Sequence, residues 1–446
     1  RMSFPRYPEY KDSGVEWLGE VPAAWNVKRL RFAAQLNPSK SEVAGESRDT
    51  EVSFLPMEAV GDDGTLNLER TRPIAAVESG YTYFREGDVT VAKITPCFEN
   101  GKGAVMRGLL GGFGFGTTEL TVARPREGQT SSEYLHWMFS SSPFRALGEA
   151  SMYGAGGQKR VPDDFFRDFA FAFPPPAEQT AIAAFLDRET AKIDALVAEQ
   201  ETLIALLKEK RQAVISHAVT KGLNPDAPMK PSGIEWLGDV PAHWDLPPLF
   251  LRYSVELGKM LDTNKISGQH LSAYLRNVDV QWDQINTDDL PAMDISPTEV
   301  ERFTVRNGDL LVCEGGEVGR AAVVKDLAEP IGYQKALHRL RQLTPNEFPR
   351  FLFFVFRWAT ATGVFSGEGQ STIAHLTGEQ LRKYRFPKPP LEEQVSIASF
   401  LDAEAARLDE LLAEAQHAIT LLKERRSALI SAAVTGQIDV RGLAPA

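Results

Sequence analysis

The chain has 446 residues, too many for a single hydrophobic core, so the usual domain size of roughly 100–200 residues predicts two to four units. Hydrophobic residues make up 43% of it, which argues against extended disorder, and no apolar run approaches the roughly 20 residues that span a bilayer. The net charge of −11 argues against a generic polyanion binder, since lysines and arginines supply nonspecific affinity for phosphates, although a local basic face is compatible with it.

The compartment is indicated by the start of the chain and by its cysteines. Arg1 to Pro5 contain no apolar core of a signal peptide, and only Cys97 and Cys313 could form a disulfide. We therefore expect a cytoplasmic protein without a membrane partner, in which both cysteines are small buried apolar residues. No cysteine–histidine cluster has the spacing of a zinc site, so we predict no metal ligands.

The first feature in the chain is a tryptophan motif, residues 13–25, which reads Ser-Gly-Val-Glu-Trp-Leu-Gly-Glu-Val-Pro and continues to a second tryptophan. The motif recurs 219 residues later as residues 232–244. A residue that selects a ligand should differ between two copies, whereas a structural anchor should not. We therefore expect the repeated tryptophans to anchor the structure; they are Trp17, Trp25, Trp236 and Trp244.

Each tryptophan motif is followed by a region that has mostly diverged between the copies, residues 27–173 and 246–388. Both regions alternate short β-rich runs with turns rich in glycine, proline and aspartate, and each has one helical stretch, at 131–148 and 347–362. We predict two mixed α+β domains of roughly 140 residues each. Shared flanking motifs with divergent inserts are expected if the inserts choose the target.

A long amphipathic helix is predicted after each domain, from Glu178 to about Thr220 and again 215 residues later. Over residues 174–220, 27 of 47 positions are identical in the second copy, which chance does not explain. Prolines precede each helix and Gly222 and Gly436 follow it, as expected of helix boundaries. Apolar residues at alternating three- and four-residue steps predict a coiled-coil seam. The predicted seam residues are Ile182, Leu186, Ile193, Leu196, Leu203 and Leu207 in the first helix, and Ile397, Leu401, Leu408, Leu411, Leu422 and Leu429 in the second.

The two helices could each pack on their own domain only, or they could pack on each other. Two matched apolar stripes in one chain favour mutual packing, and helices related by a two-fold axis that they cross must run antiparallel. We predict an α+β fold in which two mixed α/β domains are joined by two long helices that form an antiparallel coiled coil, with a pseudo-two-fold internal repeat. The predicted boundaries are 1–173, 174–221, 222–388 and 389–446.

These repeated motifs resemble the specificity subunits of type I restriction-modification systems. The resemblance rests on the Trp-Leu-Gly-x-Val-Pro element, on the Pro-Pro-x-x-Glu-Gln helix entry at 174–179 and 389–394, and on the helix ending Lys-Glu-x-Arg-x-x-x-Ile-Ser. Within the divergent domains, Gly87-Asp88-Val89 with the loop 93–103, and Gly308-Asp309-Leu310 with the loop 314–320, resemble recurrent types of target-recognition domain. The match covers nearly the whole chain.

The resemblance implies a non-catalytic subunit that binds double-stranded DNA. Each target-recognition domain would read one half of an interrupted site, and the long helices would set the unread gap. The helices would also dock two methyltransferase (modification) subunits, which restriction subunits with translocase and nuclease activity would join. S-adenosylmethionine and ATP with magnesium would be bound by those partners, so no cofactor is expected on this chain.

Candidate DNA contacts are polar residues on glycine-bounded loops, because glycine lets the backbone approach a ligand closely. Arginine and lysine suit guanine, and asparagine and glutamine suit adenine. The alternative for each candidate is a solvated side chain or a plain turn. The candidates in the first domain are Lys93, Asn100, Lys102, Thr117, Thr118, Gln158, Lys159 and Arg160. Those in the second domain are Arg320, Gln334, Lys335, Arg339, Gln370, Ser371 and Thr372.

Two other functions can be weighed against this one. A DNA methyltransferase acting alone would need an Asn/Asp-Pro-Pro-aromatic motif to hold a flipped base, and residues 37–40 and 224–226 do not match it. The run Phe113–Gly116 lacks the helix and the acidic residue of a nucleotide-binding loop, so we interpret it as a strand and turn. A scaffold that only assembles partners predicts no sequence-selective DNA binding, and it leaves the divergent inserts unexplained.

Overall fold

The computed structural model describes residues 4–155, 157–261, 268–365 and 375–443. The chain divides into two compact units: unit 1 comprises residues 1–200 and 417–446, and unit 2 comprises residues 201–416. Each unit therefore takes one part of each long helix. Among the described residues, no helix combines the length and the apolar content needed to cross a membrane.

Unit 1 contains two four-stranded sheets. The first is antiparallel throughout, with the spatial order Ala34–Leu36, Leu120–Pro125, Val89–Ala92 and Gly103–Val105. The second has the order Thr71–Pro73, Glu51–Leu55, Phe113–Gly116 and Thr82–Arg85, and its two central strands are parallel. Smaller antiparallel pairs join Tyr10–Asp12 to Glu20–Pro22 and Asn26–Arg29 to Ala170–Phe173. The glycine-containing run at 113–116 is thus a strand, as interpreted from the sequence.

Unit 2 repeats this sheet topology although its sequence has diverged. Its antiparallel sheet has the order Tyr253–Leu257, Leu337–Gln342, Leu310–Cys313 and Ala321–Val323. Its second sheet has the order Ala292–Asp294, Leu271–Leu275, Ile331–Tyr333 and Thr304–Val305, again with a parallel central pair. Two-stranded pairs join Met229–Pro231 to Asp239–Pro241 and Val280–Gln281 to Gln284–Ile285. The internal repeat therefore extends through the divergent domains.

Short helices pack beside these sheets. Those of unit 1 are Leu30–Ala33, Ile74–Val77, Ser132–Ser140, Ser142–Ala150 and Asp163–Asp168, and those of unit 2 are Val300–Phe303, Pro349–Ala361 and Gly378–Lys383. Turns of 3₁₀ helix lie at Lys40–Val43, Met57–Ala59, Leu110–Gly112, Leu249–Leu251 and Asn277–Asp279. The predicted helical stretch 131–148 is two helices, because Ser141 is extended (φ −74°, ψ 145°) and the second helix restarts with Pro143 in its first turn.

The two long helices are Pro176–Lys221, with 46 residues, and Leu391–Val434, with 44 residues. In unit 1, Arg426 Nε lies 2.9 Å from an oxygen of Asp194, whereas the earlier Arg188 donates from Nη2 to the carbonyl of Leu443 at 3.2 Å. As residue numbers increase along the first helix, the numbers of the residues that it contacts near the end of the chain decrease. The helices run antiparallel in this unit.

The same arrangement holds in unit 2. Arg211 Nη1 donates to an oxygen of Asp409 at 2.5 Å, and Gly222, directly after the first helix, lies against the side chain of Glu393. Arg211 and Asp409 are the repeat equivalents of the arginine and aspartate that pair in unit 1, each 215 residues away in the sequence. The two helices form the antiparallel coiled coil predicted from the sequence, and the same arginine–aspartate ion pair joins them in each unit.

The coiled-coil seam differs from the predicted one at three residues, since Leu196, Leu203 and Leu411 are exposed. The buried or half-buried seam positions are Ile193, Val197, Gln200, Ile204, Leu207, Arg211 and Val214, and their equivalents Leu408, Leu412, Ala415, Ile419, Leu422, Arg426 and Leu429. The neighbouring residues at 196–197, 203–204 and 411–412 are all large and apolar. Adjacent side chains on a helix point in directions about 100° apart, so only one of each pair can face the seam. Spacing alone therefore could not select the inward member. The other predicted seam residues, Ile182, Leu186, Ile397 and Leu401, are buried.

Two leucines on the second long helix test this seam, because they are three residues apart and chemically identical. Leu408 is 1% exposed and Leu411 is 38% exposed. We expect Leu408→Ala to lower the free energy of unfolding by about 2–5 kcal/mol, as for other large-to-small core substitutions. Leu411→Ala should change it by less than about 0.5 kcal/mol. Chemical denaturation of both variants is the measurement, and equal losses would contradict the observed seam.

The second tryptophan of each motif is buried and anchors the start of a long helix. Trp25 donates its indole N–H to Glu178 and Trp244 donates to Glu393, each at 3.0 Å. Tyr7 adds a hydroxyl donor to Glu178 at 2.5 Å in unit 1. The first tryptophans pack on aromatic rings of their own unit, including Phe171 for Trp17 and Phe386 for Trp236. These contacts explain why the tryptophans and the helix-entry glutamate recur together.

The glutamine of each helix entry holds the start of a domain helix. The backbone N–H of Ser131 donates to Gln179 Oε1 at 3.1 Å, and Gln179 Nε2 donates to the carbonyl of Pro174 at 2.9 Å. In unit 2, the N–H of Phe348 donates to Gln394 Oε1, and Gln394 Nε2 again donates to the proline carbonyl five residues earlier. Each glutamine is fully buried and thus ties its long helix to its domain.

The Gly-Asp motif of each domain supplies a buried carboxylate. Asp88 accepts from Nε and Nη2 of Arg124 at 2.6 and 2.8 Å, and it also accepts from the backbone N–H of Arg85. Asp309 accepts from Nε and Nη2 of Arg341 at 2.8 Å each. The aspartate of the motif therefore links the turn before one central strand to an arginine side chain on the neighbouring strand.

The two cysteines differ in their surroundings. Cys313 is buried in the sheet core of unit 2, as expected, whereas Cys97 is only half-buried against the equivalent core of unit 1. Both thiols are free. Burial raises the pKa of the Cys313 thiol, so this side chain is an unreactive apolar residue at neutral pH.

Candidate nucleic-acid interface

Three loops that are distant in the sequence meet at the ends of the central strands of unit 1. The N–H of Lys93 donates to the carbonyl of Glu119 at 2.8 Å, and the N–H of Val161 donates to the carbonyl of Lys93 at 2.8 Å. The N–H of Thr95 donates to the carbonyl of Lys159 at 3.0 Å. These backbone hydrogen bonds join residues 93–103, 117–119, 153–155 and 157–161, which we name edge 1. Three of the loops predicted to contact DNA are thus brought together.

The loop after Lys93 is held from beneath by its own side chains. Phe98 is buried against the rings of Phe144 and Phe166. Gly101 has a φ of +79°, and the guanidinium of Arg145 lies where its Cβ would be, so no larger residue fits there without displacing that side chain. The loop tip between these anchors carries the exposed Asn100, which is therefore presented on a fixed backbone.

An ion pair lies across edge 1. Arg160 donates to the carboxylate of Glu119 from Nε at 2.9 Å and from Nη2 at 2.8 Å. This hydrogen bonding holds the pKa of Glu119 below its usual value, so the carboxylate stays ionised at neutral pH. The backbone of Arg160 exchanges two hydrogen bonds with Tyr153, whose ring is 64% exposed. Lys93 Nζ lies 3.7 Å from Asp163, so it is also held near a carboxylate.

Unit 2 has the corresponding surface at the same strand ends. The N–H of Glu314 donates to the carbonyl of Ala336 at 3.0 Å, and the N–H of Leu376 donates to the carbonyl of Glu314 at 2.8 Å. We name residues 313–320, 334–336 and 375–376 edge 2. Its hydrogen bonds match those made by Lys93 in edge 1, so both edges have one backbone framework.

The side chains on this framework differ between the two edges. The hydrogen bonds place Glu314 where edge 1 has Lys93, Lys335 where it has Thr118, Ala336 where it has Glu119, and His375 where it has Arg160. Charge and hydrogen-bonding capacity therefore change at every one of these positions. A common scaffold with different donors and acceptors can recognise two different polar surfaces.

Apart from Arg339, the predicted contact residues fall into three groups. Exposed on the edges are Asn100, Thr118, Gln158, Lys159 and Lys335. Half-buried are Lys93, Lys102, Thr117, Arg160, Gln334 and Arg320, of which Lys102 donates to the carbonyl of Met57 and Arg320 donates to the carbonyl of Asn277. Gln370, Ser371 and Thr372 lie outside the described residues.

Arg339 is the candidate that the structure contradicts. It is 4% exposed, and its Nη1 donates to the carbonyls of Glu301 and Thr304 at 2.8 and 2.7 Å. The side chain thus satisfies carbonyls at the end of a short helix inside unit 2. Its position in the middle of the strand Leu337–Gln342 explains the error, because alternate residues of a strand point to opposite faces and the sequence did not show which face is buried.

Sequence reasoning missed Tyr153 as a residue of edge 1, and it missed the ion pair between Glu119 and Arg160. Tyr153 was missed because its side chain lies just before the glycine-rich loop that was singled out, and an exposed aromatic at the border of such a loop is the signal that could have found it. Glu119 was missed as a partner of Arg160 because the two are 41 residues apart and only strand pairing joins them. Within the described ranges, no cluster of three or more histidine, cysteine, aspartate or glutamate side chains is placed to hold a metal ion.

Sequence comparisons find similarity over parts of the chain. Residues 292–420 match a family model described as type I restriction modification DNA specificity domain. The chain is 38% identical over 207 residues to the specificity subunit of the type I restriction enzyme EcoEI of Escherichia coli, which covers 44% of this chain and 34% of that protein. It is 41% identical over 189 residues to the EcoAI specificity subunit of Escherichia coli, covering 42% of this chain and 31% of that one.

Over these stretches the chain is similar to type I specificity subunits. Its matches span about a third of the length of these two relatives. Solved structures extend the likeness in fold over nearly the whole chain. A chain from a study of complex assembly and conformational transition of the type I R-M system has a TM-score of 0.75 at 17% identity, covering 93% of this chain and 98% of that one. The HsdS subunit of Thermoanaerobacter tengcongensis has a TM-score of 0.61 at 18% identity, covering 94% and 98%.

Proposed function

We propose that this chain is a specificity subunit that reads an interrupted two-part sequence in double-stranded DNA, with one edge for each half. The observation that carries the proposal is the common backbone framework of edges 1 and 2, on which Glu119 and Arg160 are replaced by Ala336 and His375. Base pairs differ in the donors and acceptors that they present in the major groove. Two readers with one scaffold and different side chains therefore suit two unlike half-sites.

The chemistry of the exposed side chains supports DNA as the ligand. Asn100 and Gln158 on edge 1 carry the amide groups that pair with adenine, and Lys159 and Lys335 are exposed cations on edges 1 and 2. The net charge of −11 limits nonspecific attraction to phosphates, so base contacts and partner subunits would have to supply much of the affinity. We therefore expect tight binding only in an assembled complex.

The proposed partners are two methyltransferase (modification) subunits, joined by restriction subunits that act as translocase and nuclease. Matched exposed residues on the long helices support two copies of one partner: Leu196 and Leu411, and Leu206 and Leu421, are equivalent positions and all are exposed. The long helices would dock these partners and set the gap between the half-sites. The chain itself would have no catalytic role, S-adenosylmethionine and ATP with magnesium would act on the partners, and the complex would work in the cytoplasm.

Methylation mapping tests the proposal. The chain is expressed together with a type I modification subunit in a host without other adenine methylation, and methylated bases are mapped by long-read sequencing. We expect one interrupted motif with two different halves. The modification subunit without this chain is the control and should give no motif. Methylation at the same sites without the chain, or a complex that binds all DNA sequences equally, would favour a methyltransferase acting alone or a mere scaffold.

A further inference from the structure

The ion pair of edge 1 leaves part of an arginine free. Arg160 binds Glu119 side-on, through Nε and Nη2, while its Nη1 has no hydrogen-bond partner among the residues that the structure describes. A guanidinium carries five N–H donors in a fixed plane. The end-on donors of Nη1 and Nη2 are therefore available to a ligand, and the side chain is 41% exposed, so a ligand can reach them.

The fold does not require this ion pair. Edge 2 has Ala336 and His375 at the equivalent positions, yet it keeps the hydrogen bond from Glu314 to residue 336 and the hydrogen bond from Leu376 to Glu314. Ion pairs at exposed surfaces also contribute little to stability, since water screens them. Unit 2 thus shows that the backbone framework forms without the ion pair. The Glu119–Arg160 ion pair of edge 1 therefore needs an explanation other than support of the backbone.

We propose that Arg160 reads a guanine in the half-site of unit 1, with Glu119 as the positioning residue that orients it. The two end-on donors of a guanidinium match O6 and N7 of guanine, the commonest specific contact in the major groove. Glu119 neutralises the guanidinium, so the pair offers directed donors rather than net charge for a phosphate. The inference rests on the proposed function, because it names a base that edge 1 reads.

Tyr153 lies opposite this arginine in the chain pairing. Its backbone pairs with that of Arg160 in an antiparallel bridge, and directly opposed residues in such a pair have their side chains on one face. The exposed Tyr153 is therefore on the same face as Arg160. Glu119 holds the guanidinium of Arg160 through two hydrogen bonds before DNA binds, which lowers the entropy lost on binding.

The decisive variant carries Glu119→Ala together with Arg160→His. These are the residues that edge 2 has on the same framework, so the variant is expected to fold. Binding is measured for the assembled complex with its modification subunits, on DNA in which the unit 1 half-site is randomised. We expect one position to lose its preference for guanine by roughly 10- to 100-fold, the worth of one bidentate contact. The other positions in both halves should keep their preferences.

Single substitutions separate the two roles. Arg160→Lys should weaken the guanine preference, because an ammonium lacks the planar pair of donors that Glu119 orients. Glu119→Ala should weaken the preference without abolishing it, and Glu119→Gln should restore part of it, since the amide oxygen still accepts one hydrogen bond from Arg160. A purely structural role of the pair would change protein stability and not the preference at one base position.

Lys159→Ala is the matched control, since it removes an exposed cation next to Arg160. It should weaken binding to all sequences alike and reduce the dependence of affinity on salt. If the Arg160 variants behave in this way too, or leave the guanine preference unchanged, the assignment is wrong. A wild-type complex that shows no two-part preference at all would instead overturn the proposed function, and that outcome is visible before any variant is compared.

Discussion

Replacing residues 27–173 with the same region of a relative of different specificity should change one half of the recognised site and leave the other half unchanged. Edge 1 lies wholly within this region, and edge 2 lies wholly outside it. Gln179, outside the exchanged region, accepts a hydrogen bond from the backbone N–H of Ser131 inside it, so this contact does not depend on an exchanged side chain. The measurement is long-read mapping of methylated bases with the same modification subunit.

The reciprocal exchange of residues 246–388 is the control for this experiment. It should change the other half-site only, and a double exchange should reproduce both changes together. Because each edge reads bases with side chains of its own unit, the two effects should be independent. If either single exchange alters both halves, modular reading by two separate edges is wrong.

Asp309→Ala should be strongly destabilising, because it leaves the guanidinium of Arg341 buried without its main partner. Asp309 is 2% exposed and accepts two hydrogen bonds from that arginine. An arginine keeps its proton at neutral pH, so Arg341 stays charged when Asp309 is removed. We expect the free energy of unfolding of unit 2 to fall by about 3–5 kcal/mol, as when one partner of a buried pair is removed. Chemical denaturation measures it.

Glu301→Ala is the matched control, since Glu301 binds the same arginine from the surface. Its side chain is 83% exposed and lies 2.7 Å from Arg341 Nη1. Solvent screens this pair, so the loss should stay below about 1 kcal/mol. Asp88, which holds Arg124 in unit 1, should behave like Asp309. Similar losses for Asp309→Ala and Glu301→Ala would show that burial does not decide the strength of these ion pairs.

Much of the architecture was evident in the sequence, because it depends on local pattern and repetition. The repeat of the tryptophan motif and of the helix-entry motif indicated two equivalent units, and proline and glycine marked the ends of both long helices. Two helices with matched apolar stripes predicted the antiparallel coiled coil. Glycine-bounded loops after predicted strands located the segments that form edges 1 and 2. These features depend on the backbone preferences of a few residues and on side-chain periodicity, which are properties of short stretches.

Other features were decided only by the tertiary structure, because they depend on which distant residues meet. Leu196 and Val197 are neighbours with similar hydrophobicity, and only helix packing turned Val197 inward. Arg339 reads as a polar contact residue until strand pairing places it in the interior. The pairing of Glu119 with Arg160 arises because two loops 41 residues apart end at one sheet edge. Amino-acid periodicity specifies which residues can be buried, whereas long-range packing selects the ones that are.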